Sequence, residues 1–274
     1  MDGTRLRRAL CVGLMFVVSA CADSVGDDPE VFDLEWREDT SEGRLVPPPE
    51  EEETRSGGGN WINNGLMDPN VSGVSVLDGL ASPDGLASNG WLAASSEDGV
   101  IAIRYLVECA LGPGQVIQKK NKGKPVTFRG RLGLAPEWEN GPCGEDCQQW
   151  VSACLLARTN PIGERSDIWL QGDHPAIGLG THPSFPLYEG SFYGNLFVAT
   201  QVERTCEGEA DGLLAAQALG RTCVSDEDAC GFVSDGECLI DADCDLSGSG
   251  SVPISCRPDP AETGYHVLTV HVSP

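Results

Sequence analysis

The chain has 274 residues, 42 acidic and 18 basic, with twelve cysteines and a formal net charge of -24. A surface this negative repels phosphate and excludes nucleic acid as the main partner. Hydrophobic content of 40% supports a folded core, while 6% aromatics and 34 glycines predict a modest, loop-rich one.

In chain order, Arg5, Arg7 and Arg8 precede an apolar run from Ala9 to Val18. Ten residues cannot span a bilayer but suit the apolar core of a signal peptide. The run ends in Val18-Ser19-Ala20-Cys21, which resembles the lipobox of bacterial lipoproteins. That resemblance implies a signal peptide over 1–20, cleavage before Cys21, and lipid on the Cys21 sulfur and its new amino group. Ala22 in place of aspartate implies sorting to the outer membrane or cell surface. The expected membrane partner is therefore reached through a lipid anchor, since no later apolar stretch approaches ~20 residues.

Residues 21–59 read as an acidic, disordered tether. Thirteen acidic and three basic side chains lie between Asp23 and Arg55, with Pro47-Pro48-Pro49, Glu50 to Glu53 and Gly57-Gly58-Gly59. Such a segment cannot bury enough apolar surface to offset its ordering entropy. Val31-Phe32-Asp33-Leu34-Glu35-Trp36 alternates, leaving open a docked strand or a partner contact. Residues 60–94 form a turn-rich connector. Asn64-Gly65-Leu66, Asp78-Gly79-Leu80, Asp84-Gly85-Leu86 and Asn89-Gly90-Trp91 each join a turn dipeptide to a large apolar residue.

Residues 95–274 are expected to form one disulfide-rich α+β domain. Its predicted form is two helices on a small, mostly antiparallel sheet, with a disulfide-rich loop region. Ser95-Ser96-Glu97-Asp98 is a capping signal for a helix carrying Ile103, Leu106, Val107 and Ala110 and closed by Gly112-Pro113. Its β-branched residues leave a strand reading open. Val116-Ile117 and Val126-Thr127-Phe128 flank a hairpin turn at Asn121-Lys122-Gly123. Cys147, Trp150, Val151, Cys154 and Leu155 form the apolar stripe of a second helix. Glu145 and Asp146 suit the positive end of that helix and Arg158 its negative end; Asn160-Pro161 stops it. Ile168-Trp169-Leu170, Gly194 to Ala199 and Val267 to Val272 are strand candidates, and 206–256 reads as a stapled excursion.

Without Cys11 and an acylated Cys21, ten cysteines remain: Cys109, Cys143, Cys147, Cys154, Cys206, Cys223, Cys230, Cys238, Cys244 and Cys256. An even number in an exported chain reads as disulfides, and no Cys-x-x-Cys pair favours zinc. Cys109 and Cys154 are expected to staple the two helices. Cys143 and Cys147, a helical turn apart, bridge each other or reach later cysteines.

The segment from Gly141 to Trp150 faintly resembles the nucleophile region of papain-like cysteine proteases. It departs from that pattern: the cysteine gap is one residue longer, Trp150 does not adjoin Cys147, and no oxyanion glutamine precedes it. Asp241, Asp243 and Asp245 could converge on calcium, the one cofactor considered, although Leu246 and Val252 break the EF-hand pattern. Lys119, Lys120, Lys122 and Lys124, the only lysines, mark a possible anion site at the hairpin. His174-Pro175 and His182-Pro183 lie in a glycine-rich loop, while His266 and His271 should face opposite sides of a strand.

Tyr105-Leu106-Val107-Glu108-Cys109-Ala110-Leu111 and Trp150 to Arg158 resemble cysteine-rich lipoproteins of myxobacteria, a likeness that implies no particular activity. The expected function is a lipid-anchored binding or structural module with an envelope or extracellular ligand. The alternative is an envelope hydrolase, for which a free nucleophilic thiol would be the first sign.

Overall fold

A computed structural model describes residues 37–39, 44–46, 60–63, 84–88, 97–121, 123–162, 165–221, 223–224 and 230–274. All of them belong to one unit, Glu35–Pro274. The expected leader, Cys21, the Val31–Trp36 segment, Lys122, Ser95 and Ser96, and three of the four Asn/Asp-Gly turns lie outside the described residues.

The elements run β1 (Arg37–Asp39), β2 (Arg44–Val46), β3 (Trp61–Asn63), α1 (Glu97–Ala110), β4 (Val116–Asn121) and β5 (Lys124–Arg129). A 3-10 turn (Pro136–Glu139) leads to α2 (Glu145–Ala157), β6 (Asp167–Gln171), β7 (Leu187–Asn195), β8 (Val202–Glu207) and α3 (Ala210–Ala218). The chain ends with β9 (Val233–Glu237), β10 (Asp243–Leu246), β11 (Pro253–Arg257) and β12 (Tyr265–Val272). The α+β class is as expected, with three α-helices among the described residues and a larger sheet than the sequence suggests.

A four-stranded sheet has the order β1-β2-β5-β4, and β2 joins β5 in parallel. The other sheet has eight strands, with β10-β11-β12-β7-β8-β9 as its main path. Strand β12 organises it. One edge of β12 pairs with β7, while the opposite edge is shared by β11 near Tyr265 and β6 near Val270. β3 extends the sheet beyond β6, so the connector contributes to the fold. Ile62 and Leu86 are wholly buried in the core, and the Asn60 amide donates to the carbonyls of Leu170 (3.0 Å) and Ile177 (2.7 Å).

Alternation along β12 assigns its faces. Leu268, Val270 and Val272 join the core shared with the helices, whereas Val267 joins a second cluster with Tyr188, Tyr193, Cys206, Cys238 and Cys256. The sheet is curled around that second cluster. On a flat sheet β9 and β10 would stand about 24 Å apart, yet only residues 238–242 connect them. Cys206 on β8 and Cys256 on β11 bring their sulfurs within 4.8 Å.

Helices α1 and α2 are buried nearly all round. α2 packs against β7 and β12 on one side and α1 on the other, which is why small residues Ser152, Ala153 and Ala157 complete its surface. The last carbonyls of α1, otherwise without partners, accept from the following segment. Leu132 N donates to Glu108 O (2.8 Å), Leu134 N to Cys109 O (3.1 Å) and Ala135 N to Ala110 O (2.8 Å).

Five disulfides join Cys109–Cys154, Cys143–Cys147, Cys206–Cys238, Cys223–Cys230 and Cys244–Cys256. The first is the expected staple between α1 and α2, and the second takes the local option.

Two expectations require correction. The strand placed at Gly194 to Ala199 ends at Asn195, and residues 196–200 turn. Leu196 and Phe197 are buried as anchors of that turn, so their apolar character reflects packing without strand pairing. The 206–256 region holds α3 and three further strands, β9 to β11. Arg158 stands at the C-terminal end of α2, as expected, and has a further role. It is buried, with its guanidinium on Glu108 and over the Tyr105 ring of α1.

Candidate functional site

The start of α2 brings exposed acidic groups next to a buried indole. Gly144 caps the helix in extended conformation, and Glu145 and Asp146 occupy its first turn. The Cys143–Cys147 disulfide holds this entrance, and Gln148 Nε2 donates to Cys143 O (3.0 Å). Cys147 therefore has no thiol in the oxidised chain. The papain-like pattern lacks its nucleophile here.

Asp146 and Trp150 are four residues apart and share one helix face. His266, at the beginning of β12, lies flat on Trp150 with ring centroids 4.3 Å apart and planes 10° from parallel. Its Nε2 lies 2.6 Å from Asp146 Oδ1, and its backbone N–H donates to Gln149 Oε1 (3.1 Å). Three α2 residues thus fix one imidazole, whose side chain remains 33% exposed. His174 meets Trp150 edge-on at 4.9 Å. Burial depresses the His174 pKa; Asp146 and Glu137 oppose that shift and His266 reinforces it.

The loop between β6 and β7 repeats one local device. Proline after histidine supplies no N–H, so the next amide turns back to the ring. Ala176 N donates to His174 Nδ1 (3.1 Å), and Ser184 N donates to His182 Nδ1 (3.2 Å). Both turns close through the fourth residue: Ile177 N to His174 O and Phe185 N to His182 O. Each histidine then packs on indole, His174 on Trp150 and His182 among Trp61, Trp169 and Phe185. His271 lies on the opposite face of β12 from His266, as their spacing requires. It stacks on Tyr188 and bonds Gln171 Oε1 at 2.9 Å.

The other predicted groups separate. Lys119 is buried, which lowers its pKa, whereas Lys120 and Lys124 are exposed. Strand alternation puts Lys119 and Lys120 on opposite faces of β4. Asp243 and Asp245 share a face of β10 and both bind Arg257, at 3.1 and 2.5 Å, while Asp241 accepts from Glu237 N. A guanidinium thus lies where these two carboxylates converge. Only Cys206, Cys244 and Cys256 bring three side chains of metal-ligand type together among the described residues, and all three are spent in disulfides.

The corner at Trp150 presents a part-exposed, carboxylate-bound His266 stacked on an indole that is itself buried. Among the described residues the His266 ring bonds Asp146, and no hydroxyl or thiol is hydrogen-bonded to it. The sequence names each of these residues but not their meeting, because they come from α2, β12 and the β6–β7 loop. The His-Pro repeat was the available signal. Comparison with protein families, characterised proteins and solved structures finds no significant match.

Proposed function

We propose that this is an exported, lipid-anchored envelope module that binds a ligand and holds no free thiol to serve as a hydrolase nucleophile. The observation carrying the reading is that all ten cysteines beyond Cys21 are paired. Such a set persists in an oxidising compartment, and it agrees with a leader ending in Val18-Ser19-Ala20-Cys21. No helix among the described residues is long and apolar enough to cross a membrane, which is compatible with attachment through lipid. The binding surface we assign is the rim formed by His174, His266 and Asp146 over the buried Trp150 indole.

Expression of the full chain in a lipoprotein-processing bacterium tests the anchoring. Wild type should partition into detergent with acyl mass on Cys21, and Cys21→Ser should leave the membrane fraction. Equal partitioning of the two proteins refutes the anchor. A free-thiol count on the oxidised protein should give zero, and any alkylated cysteine among the ten reopens the hydrolase reading.

A further inference from the structure

We propose that Cys244–Cys256 and Cys206–Cys238 constitute one thiol–disulfide exchange site, entered by a small or protein thiol at Cys244. The Sγ atoms of Cys206, Cys244 and Cys256 lie within 4.8 Å of one another, although they belong to two disulfides. The curl of the sheet creates this proximity by folding β10–β11 toward β8. Access is unequal. Cys206 and Cys256 are fully buried and Cys238 is 1% exposed, whereas Cys244 is half-buried on the edge strand β10. An incoming thiolate therefore reaches the Cys244 sulfur first, and exchange proceeds by such attack.

Each step is electronically closed. The external thiolate bonds to Cys244 Sγ, the Cys244–Cys256 bond breaks, and its electron pair leaves on Cys256. That thiolate sits in an apolar cluster with Tyr188, Tyr193 and Val267, surroundings that disfavour charge. It attacks Cys206 Sγ, forming Cys206–Cys256 and releasing Cys238 as a thiolate, which takes a proton from water. Two disulfides and one thiol enter, and two disulfides and one thiol leave. No oxidant is required. The product holds the thiol-bearing partner covalently at Cys244 and replaces the β8–β9 tie with a β8–β11 tie. The end of β9 then retains hydrogen bonds such as Cys238 N to Glu207 O (2.8 Å). Cys109–Cys154, Cys143–Cys147 and Cys223–Cys230 belong to no such sulfur trio among the described residues and should not relay.

Glutathione is the probe. The folded full chain is incubated with it, quenched with iodoacetamide and mapped without reduction. The expected product carries one glutathione on Cys244, one alkyl group on Cys238 and a Cys206–Cys256 cross-link. Glutathione on Cys244 with alkylated Cys256 and an intact Cys206–Cys238 bridge overturns the relay. First attack at any other disulfide overturns the entry point. In the double variant Cys206→Ala/Cys238→Ala, Cys256 lacks its acceptor and must itself be alkylated or expel the glutathione. If that variant does not fold, the wild-type map alone decides.

Discussion

The Arg158 guanidinium at the end of α2 meets the Glu108 carboxylate of α1 at 2.5 Å, with side chains only 2% and 10% exposed. The same guanidinium lies 4.0 Å from the Tyr105 ring centroid, beside the Cys109–Cys154 bridge. Removing one member of a buried pair strands the other charge, typically at a cost of about 3–5 kcal/mol. Glu108→Ala and Arg158→Ala should each lower urea stability by that order. The double replacement Glu108→Leu/Arg158→Met should recover most of the loss, because no buried charge remains. A double variant no better than the singles would show that the pair contributes net stability.

Cys109–Cys154 closes a 45-residue separation between the two buried helices. Restricting the unfolded chain over such a loop typically contributes about 2–4 kcal/mol. The double variant Cys109→Ala/Cys154→Ala should fall in that range by denaturant unfolding, while its far-UV signal stays helical. Non-reducing maps of wild type should show the two peptides travelling together.

His271 gives a pH-dependent term of known sign. Burial pulls its pKa from 6.5 down to about 4. The folded imidazole stays neutral while the unfolded one takes a proton between those values. Stability from this group is therefore level above pH 6.5, falls as pH drops toward 4, and levels again below. The full loss is on the order of 3 kcal/mol. His271→Asn should remove this slope, so the stability difference between wild type and variant must change across that window. Parallel curves would rule out a buried neutral His271.

Gly212 marks where α3 rests on β7, since a Cβ there overlaps the Tyr188 carbonyl. Gly194, in β7, has φ +140° and would meet the Val202 carbonyl. Gly212→Ala should cost about 1–3 kcal/mol, the usual range for overpacking. Gly248→Ala has open space and should change stability by less than about 0.5 kcal/mol. Comparable melting temperatures for the two variants would contradict the contact between α3 and β7.

Where neighbours along the chain supply the signal, residues alone determine the outcome. The stripe of Cys147, Trp150, Val151, Cys154 and Leu155 specifies α2, the turn near Gly123 specifies the β4–β5 hairpin, and the closing Val267–Val272 run specifies β12. The even cysteine count likewise implies pairing. Strand β7 is different: Leu-Tyr-Glu-Gly-Ser-Phe-Tyr-Gly-Asn carries charge and glycine through the middle of the sheet. That sequence is stable as a strand because Arg221, 32 residues later, bonds the fully buried Glu189 at 2.8 Å and because glycine lets neighbouring backbone approach. The Trp150 corner and the sulfur cluster follow the same logic. Their residues are separated in the chain, and only packing of α2 against β12, together with the curl of the sheet, brings them into contact. Periodicity records which side of an element is apolar, but it contains no term for the partner that side will meet.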